Sequence, residues 1–183
     1  MTPTKMPLLA MAVLVPAHNE ETRLARCLKS LQVAMDRLSL PSVAAVVLDR
    51  CTDASARVVH AFGTTVPLVV VDGAFPGVGT VRDAGVQAAR DYFHRVSAGR
   101  MWVANTDADS AVPTTWLLRQ QALADSGMDM VLGTVEPGPS VANHAPTHRL
   151  WFERHRLVEG HGHVHGANLG IRLSELELVR GVR

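Results

Sequence analysis

The chain has 183 residues, room for one domain with a full hydrophobic core and not for two. Charged residues make up 19% of it and nearly cancel to a net charge of +1, so no broad electrostatic field points to nucleic acid or to an anionic membrane. Its two cysteines form neither a disulfide framework nor a zinc spacing, which fits a reducing compartment, and no apolar run approaches the roughly 20 residues that span a bilayer.

Residues 8–15 (LLAMAVLV) are apolar throughout and read as a buried leading strand. Lys5 and this stretch imitate the start of a signal peptide, but Pro7 and Pro16 interrupt it and Asn19, Glu20 and Glu21 follow at once. Pro16 is expected to end the strand. From Glu21 onward, Leu24, Cys27, Leu28, Leu31, Met35 and Leu38 recur at three- and four-residue spacing, one apolar stripe of a helix. Residues 42–48 (SVAAVVL) form a second buried strand, closed by Asp49, Arg50, Cys51, Thr52 and Asp53. A short helix over 54–62, a third strand over 67–71 and a loop over 73–79 with three glycines and a proline come next. The helix predicted over 80–96 places Val81, Gly85, Ala88, Ala89, Tyr92 and Val96 on one side. A fourth strand over 101–104, a helix over 114–124, a strand over 130–135, an amphipathic helix over 147–159 and a strand over 167–171 complete the pattern, and Ser174 is expected to cap a last helix. Strands alternating with helices of these lengths give an α/β fold around a mostly parallel sheet with right-handed crossovers.

The fourth strand delivers the most informative stretch, Asn105, Thr106, Asp107, Ala108, Asp109 and Ser110, to its C-terminal edge, where open α/β sheets bind ligands. Two carboxylates one residue apart ionise comfortably together only with a cation between them, and a hard divalent ion that keeps waters and grips phosphates suits the pair. The competing reading is a polar turn in which Asp109 and Ser110 cap the helix that Pro113 helps to start. Near the C-terminus His161, His163 and His165 alternate, so an extended backbone puts them on one side. That suits a metal ligand or an acceptor contact, with unassigned loop histidines an equal alternative.

Four ordered stretches, VLVPAHNEE, VVLDRCTDAS, GVGTVRDAG and NTDADS, together resemble the family-2 glycosyltransferases of the GT-A type, over about residues 11–172. The resemblance implies one GT-A domain over 1–183, a Rossmann-like α/β/α sandwich, with a nucleotide-sugar donor half at about 8–110 and an incomplete acceptor half at about 111–183. It implies that Pro16, Ala17, His18, Asn19 and Glu20 wrap the nucleoside and that Asp49 hydrogen-bonds the base. Arg82 reaches a phosphate or the acidic motif, beside an Asp83 that replaces the usual asparagine, and Gly85 allows close packing. Asp107, Ala108 and Asp109 match the paired-aspartate motif, in which Mn2+ or Mg2+ bridges the diphosphate of a UDP or GDP sugar. The implied reaction is transfer of the sugar to a saccharide, lipid or small-molecule acceptor, with inversion. The segment GHVHGANLGIR resembles the acceptor-side strand, adding His163 and His165 as candidate metal ligands.

One departure stands out. Where the family carries a Glu-Asp pair whose Asp is the general base, this sequence has LSELELVRGVR, with Glu175 and Glu177 as its only acids. No catalytic base is assigned, and a nucleotide-sugar-binding module lacking one is the main alternative. A dinucleotide oxidoreductase would need a glycine fingerprint where this chain has PAHNEE, and a nucleotidyltransferase a glycine-rich basic first loop. The expected location is cytoplasmic, the inner face of the membrane included. A poorly covered apolar face at Leu169 and Ile171 is expected to favour a homodimer through a sheet edge.

Overall fold

In the computed structural model, which describes residues 5–138, 151–153 and 157–180, the first strand takes the centre of the sheet. Strand β1 (Ala10–Ala17) is buried at every residue except the half-buried Pro16, and β2 (Ser42–Asp49) at every residue after Ser42. Apolar runs without alternation are what a strand covered on both faces requires. Next to these lie β3 (Leu68–Gly73), half-exposed at one edge, and β4 (Met101–Asn105), fully buried on the other side of β1. The order across the six strands is β3-β2-β1-β4-β6-β5, with β5 spanning Met130–Leu132 and β6 Leu169–Arg172. The pairs β1–β2, β1–β4 and β2–β3 are parallel, and β6 runs antiparallel to both of its neighbours.

The pleat sorts the core into two layers. Met11, Val13 and Val15, with Ala44, Val46, Trp102 and Ala104, face α1 (Leu24–Met35), α2 (Ser55–Phe62) and α4 (Trp116–Asp125). Ala10, Ala12 and Leu14, with Val43, Ala45, Met101 and Val103, face α3 (Val78–Tyr92) and α5 (Leu173–Arg180). Helices therefore cover both faces, giving the expected α/β/α sandwich. The absence of a side chain at Gly85 lets α3 sit close, since a Cβ there would stand 3.2 Å from both Leu14 Cδ2 and Val47 Cγ2. Buried Arg172 pins the far end of β6, donating through Nη1 to Gly99 O at 2.7 Å and through Nη2 to Ala124 O at 2.9 Å.

Several expectations are corrected. Pro16 does not end β1, which runs on to Ala17 and pairs Pro16 with Val47. Pairing with β4 has already stopped at Leu14 and Asn105, so the proline stands where no donor is needed on that side. Helix α3 ends at Tyr92, which is 48% exposed, and Val86 and Phe93 are in the core, with half-buried Val96 packed against it from beyond the helix. Ser174 lies inside α5, which begins at Leu173. Nor is the β6 face bare: Ile171 is buried and Leu169 half-buried, and β6 lies between β4 and β5 and is no edge. The edge reasoning behind a homodimer therefore does not hold. Of the helix expected over 147–159, residues 151–153 are helical, residues 157–159 are not, and the rest falls outside the described residues.

Candidate functional site

The carboxyl ends of β1, β2 and β4 meet on one edge of the sheet. The chain turns from β1 towards β2 and β3, then returns to the other side of β1 as β4, so the order reverses between β1 and β4, the place where such sheets open a crevice. The loop after β1 is laced to the loop after β2. His18 Nδ1 lies 2.6 Å from Asp49 O, Asn19 Oδ1 accepts from Thr52 N at 2.8 Å, and Glu20 N donates to Ser55 Oγ at 2.8 Å. Glu21 closes the exchange, donating from its N to Asp53 Oδ2 at 3.0 Å and accepting from Ala54 N at 2.7 Å. Asn19 sits in the left-handed region at φ 53°, a conformation that asparagine tolerates better than most residues. These bonds fix the path of the segment formed by Ala17, His18, Asn19 and Glu20, the stretch expected to wrap a nucleoside.

Asp49 ends β2 with its carboxylate held from two sides. Arg50 donates through Nε to Oδ1 at 3.1 Å and through Nη2 to Oδ2 at 2.9 Å, and Phe75 N donates to Oδ1 at 2.9 Å. The Arg50 bonds first, and the Phe75 bond second, hold the Asp49 carboxyl below the usual carboxylate range. Arg50 itself has φ 49°, and its N donates to Gly73 O at 2.8 Å. These partners are a neighbouring side chain and a loop 26 residues away, not the backbone of a local turn.

On the other side of β1, Asp107 and Asp109 follow β4 on a turn whose intervening Ala108 is buried. Arg82, reaching across from α3, donates through Nη2 to Asp107 Oδ1 at 2.8 Å and to Gly166 O at 3.3 Å. Arg82 thus meets the acidic motif, one of its two expected targets. Burial pushes the Asp107 carboxyl up, Arg82 pulls it down, and the charge of Asp109 pushes it up again. Asp109 is exposed, with Arg23 Nη1 at 3.5 Å and its own neighbour Ser110 Oγ at 3.4 Å. Neither Asp109 nor Ser110 caps a helix, since α4 starts at Trp116 with Thr115 as its N-cap residue. The capping alternative is therefore excluded. Two adjacent carboxylates with mutual repulsion and exposed oxygens fit a hard divalent cation that completes its shell with water and phosphate oxygens.

Among the described residues no three acids, histidines or cysteines converge as a metal-ligand set. The alternating histidines do cluster: ring centroids stand 6.2 Å apart for His161–His163, 6.2 Å for His161–His165 and 5.8 Å for His163–His165. Their loop is tied to the acidic motif through the Gly166–Arg82 bond. Beside Asp107 and Asp109 opens a cleft of about 850 Å³, lined further by Trp116, Arg119, Ala167 and Asn168. Asn168 organises its wall, accepting from Trp116 Nε1 at 2.8 Å and donating to Thr134 O at 2.8 Å.

Glu175 and Glu177 lie elsewhere. Because β6 is antiparallel, the helix after it starts at the amino edge of the parallel strands, beside residues 98–100, and Glu177 is ion-paired to Arg90 of α3. Neither acid faces the cleft.

The sequence model of glycosyl transferase family 2 matches residues 12–173, most of the chain. The chain belongs to glycosyl transferase family 2. A search among curated proteins finds no match. Among solved structures, the fold of this family-2 chain is similar to S. aureus TarS 1-349, with TM-score 0.64 and 16% identity over 93% of this chain and 49% of that one. It is similar also to the mannosyltransferase PcManGT from Pyrobaculum calidifontis in complex with GDP-Man and Mn2+, with TM-score 0.64 and 18% identity over 92% of this chain and 46% of that one. A third is glucosyl-3-phosphoglycerate synthase from Mycobacterium tuberculosis in complex with UDP, with TM-score 0.56 and 16% identity over 90% of this chain and 57% of that one. The chain thus spans about half the length of these structures.

Residues missed in the sequence also shape this family-2 site. Arg23 forks Glu20 through Nε at 2.9 Å and Nη2 at 3.1 Å while leaning towards Asp109, and the i,i+3 spacing of Glu20 and Arg23 was the available signal. Arg50 and Phe75 carried none.

Proposed function

We propose that this chain forms the nucleotide-sugar site of a glycosyltransferase that moves a sugar from a nucleoside diphosphate to an acceptor, inverting the anomeric carbon and using Mn2+ or Mg2+. The observation that supports this best is the pairing of Asp49 and Asp107 across the crevice. They end strands two places apart, roughly 10 Å laterally at ordinary strand spacing, the scale of a base joined through ribose to its diphosphate. Pro16, Ala17, His18, Asn19 and Glu20 wall the nucleoside between them. Asp107 and Asp109 hold the cation, with His163 and His165 as further ligand candidates. A cation held there supplies charge stabilisation to the departing diphosphate. Arg82 positions Asp107 and adds a fixed positive charge to the same pocket, and the cleft by Trp116 and Arg119 receives the acceptor. Structures similar in fold contain UDP-GlcNAc, GDP-Man with Mn2+, and UDP with Mn2+, each in its own protein.

Titration calorimetry with UDP, GDP and NAD, each with Mn2+ and then with a chelator, tests the reading. A nucleoside diphosphate is expected to bind more tightly than NAD and to lose most of its affinity on chelation. Tighter binding of NAD, or diphosphate affinity indifferent to the chelator, would overturn it.

A further inference from the structure

The site described above leaves open which base it takes, and the environment of Asp49 bears on that choice. An ionised carboxylate offers about four acceptor positions, two on each oxygen. Oδ1 already accepts from Phe75 N at 2.9 Å and from Arg50 Nε at 3.1 Å, which fills both of its positions. Oδ2 accepts from Arg50 Nη2 at 2.9 Å and keeps one. The guanidinium is not a passing contact. Arg50 occupies the left-handed region at φ 49°, its backbone is fixed by the 2.8 Å bond to Gly73 O, and the two side-chain bonds form a planar fork on its own neighbour. Left-handed backbone is costly for a side chain of this size and is concentrated at functional positions. Of the five guanidinium N–H groups two serve the fork, so the outer N–H of Nη2 and both of Nη1 point away from the carboxylate.

We propose that Arg50 is a base-selecting residue, which leaves Asp49 a single open acceptor beside an outward N–H donor and so favours a uracil edge over a guanine edge. This rests on the donor-site reading above. A uracil imide presents one N–H flanked by two carbonyl oxygens, so Oδ2 takes the N–H and the outer Nη2 N–H serves a flanking oxygen. Guanine offers the same carbonyl–N–H pair on one flank, through O6 and the ring N–H, but its other flank is an exocyclic amine, a second donor that needs a further free acceptor beside Oδ2. With Oδ1 filled, the amine goes unpaired on entering the site, and a buried donor without a partner is what a hydrogen-bonding site rejects most strongly.

The test is titration calorimetry of the whole chain with UDP and with GDP, both with Mn2+, on the native protein and on Arg50→Gly and Arg50→Lys. Glycine accepts the left-handed backbone, so Arg50→Gly removes the fork without adding strain, and the melting temperature reports that each variant is folded. UDP is expected to bind the native protein at least about tenfold more tightly than GDP. Arg50→Gly should shrink that ratio severalfold by freeing an acceptor on each oxygen for guanine, and Arg50→Lys should shrink it too, because an ammonium cannot form the planar fork. GDP binding as tightly as UDP to the native protein, or a ratio unmoved in folded Arg50→Gly, overturns the proposal while leaving the donor site standing. If neither nucleotide binds the native protein, the donor-site reading itself fails and the proposal with it.

Discussion

Asp109→Asn separates a cation-binding role from a merely structural one because the structure gives the two roles different magnitudes. The substitution keeps the side chain's size and removes one negative charge. Its structural partners are weak: Arg23 Nη1 at 3.5 Å, half-exposed, and a 3.4 Å bond from Ser110 Oγ. An exposed ion pair of that kind is worth about 0 to 1 kcal/mol, which in a chain of this size moves the melting temperature by no more than about 2 to 4 °C. A charged ligand of a bound divalent ion is another matter. Even outer partners of metal sites cost about 10- to 100-fold in affinity when replaced, so loss of Asp109 should weaken Mn2+-dependent nucleotide binding by roughly 100-fold or more. Asp107→Asn is the companion variant. It should lose Mn2+ affinity as well, but it also breaks the 2.8 Å pair with Arg82, so its unfolding midpoint should fall further, by about 1 kcal/mol of stability after allowance for screening by water. Calorimetry with Mn2+ and UDP, beside thermal melts of the apo proteins, reads both quantities. An Asp109→Asn protein that binds UDP and Mn2+ as the native protein does would refute the assignment of Asp109 to the cation.

Three further outcomes follow from the packing. The Cys27 thiol, pushed up to about 12 by burial and then by the charges of Asp109 and Asp107, should stay protonated and resist iodoacetamide at pH 8 in the native state; fast labelling by mass spectrometry would contradict its placement beneath the acidic turn. Gly170→Ala would put a Cβ 2.2 Å from Gln120 Oε1 and 2.6 Å from Trp102 Nε1, splitting their 2.7 Å bond, and should cost about 3 kcal/mol in denaturant unfolding. Arg172→Ala strands the carbonyl oxygens of Gly99 and Ala124 inside the fold and should cost about 3 to 5 kcal/mol, measured the same way; a loss under about 1 kcal/mol would show that water replaces the guanidinium.

The features most legible in the sequence were those set by local chemistry. Long apolar runs closed by Asp49 and by Asp107 reported strands buried on both faces and the edge at which they stop. The stripe of Leu24, Cys27, Leu28, Leu31 and Met35 gave α1 its buried face, all five being in the core. What local pattern does not carry is pairing at a distance. Nothing in the four residues of β6 says that they insert antiparallel between β4 and β5, yet that insertion decides where Glu175 and Glu177 go. Pro16 misled for the same reason, because a proline is unacceptable in a strand paired on both sides and harmless where one neighbour has already ended. Arg50 was unreadable because the backbone turn that aims it depends on Gly73 of the adjacent strand.

The same early end of β4 pairing that admits Pro16 also makes room for the site. Beyond Leu14 and Asn105 the strands β1 and β4 part, with Thr106 N donating to Leu14 O at 3.1 Å as the last backbone tie between them. From there β1 continues to Ala17 on β2 alone, carrying the first loop towards Asp49, while β4 gives way to the turn that holds Asp107 and Asp109. The carboxylate of Asp49 and those of Asp107 and Asp109 are thus separated by a gap that begins where hydrogen bonding stops, and each bank is fixed by a different set of bonds. The loops after β1 and β2 are stapled to each other through Asn19, Glu20, Glu21, Asp53 and Ser55. The acidic turn is held from the other side by Arg82 and, through Gly166, by the histidine loop. A ligand lying across the gap would join two banks that strand pairing leaves apart and that Arg23 links through Glu20 and Asp109, so the stabilisation it confers should depend on both Asp49 and Asp109, and loss of either anchor should cost more of the ligand-induced rise in melting temperature than of the melting temperature of the apo protein.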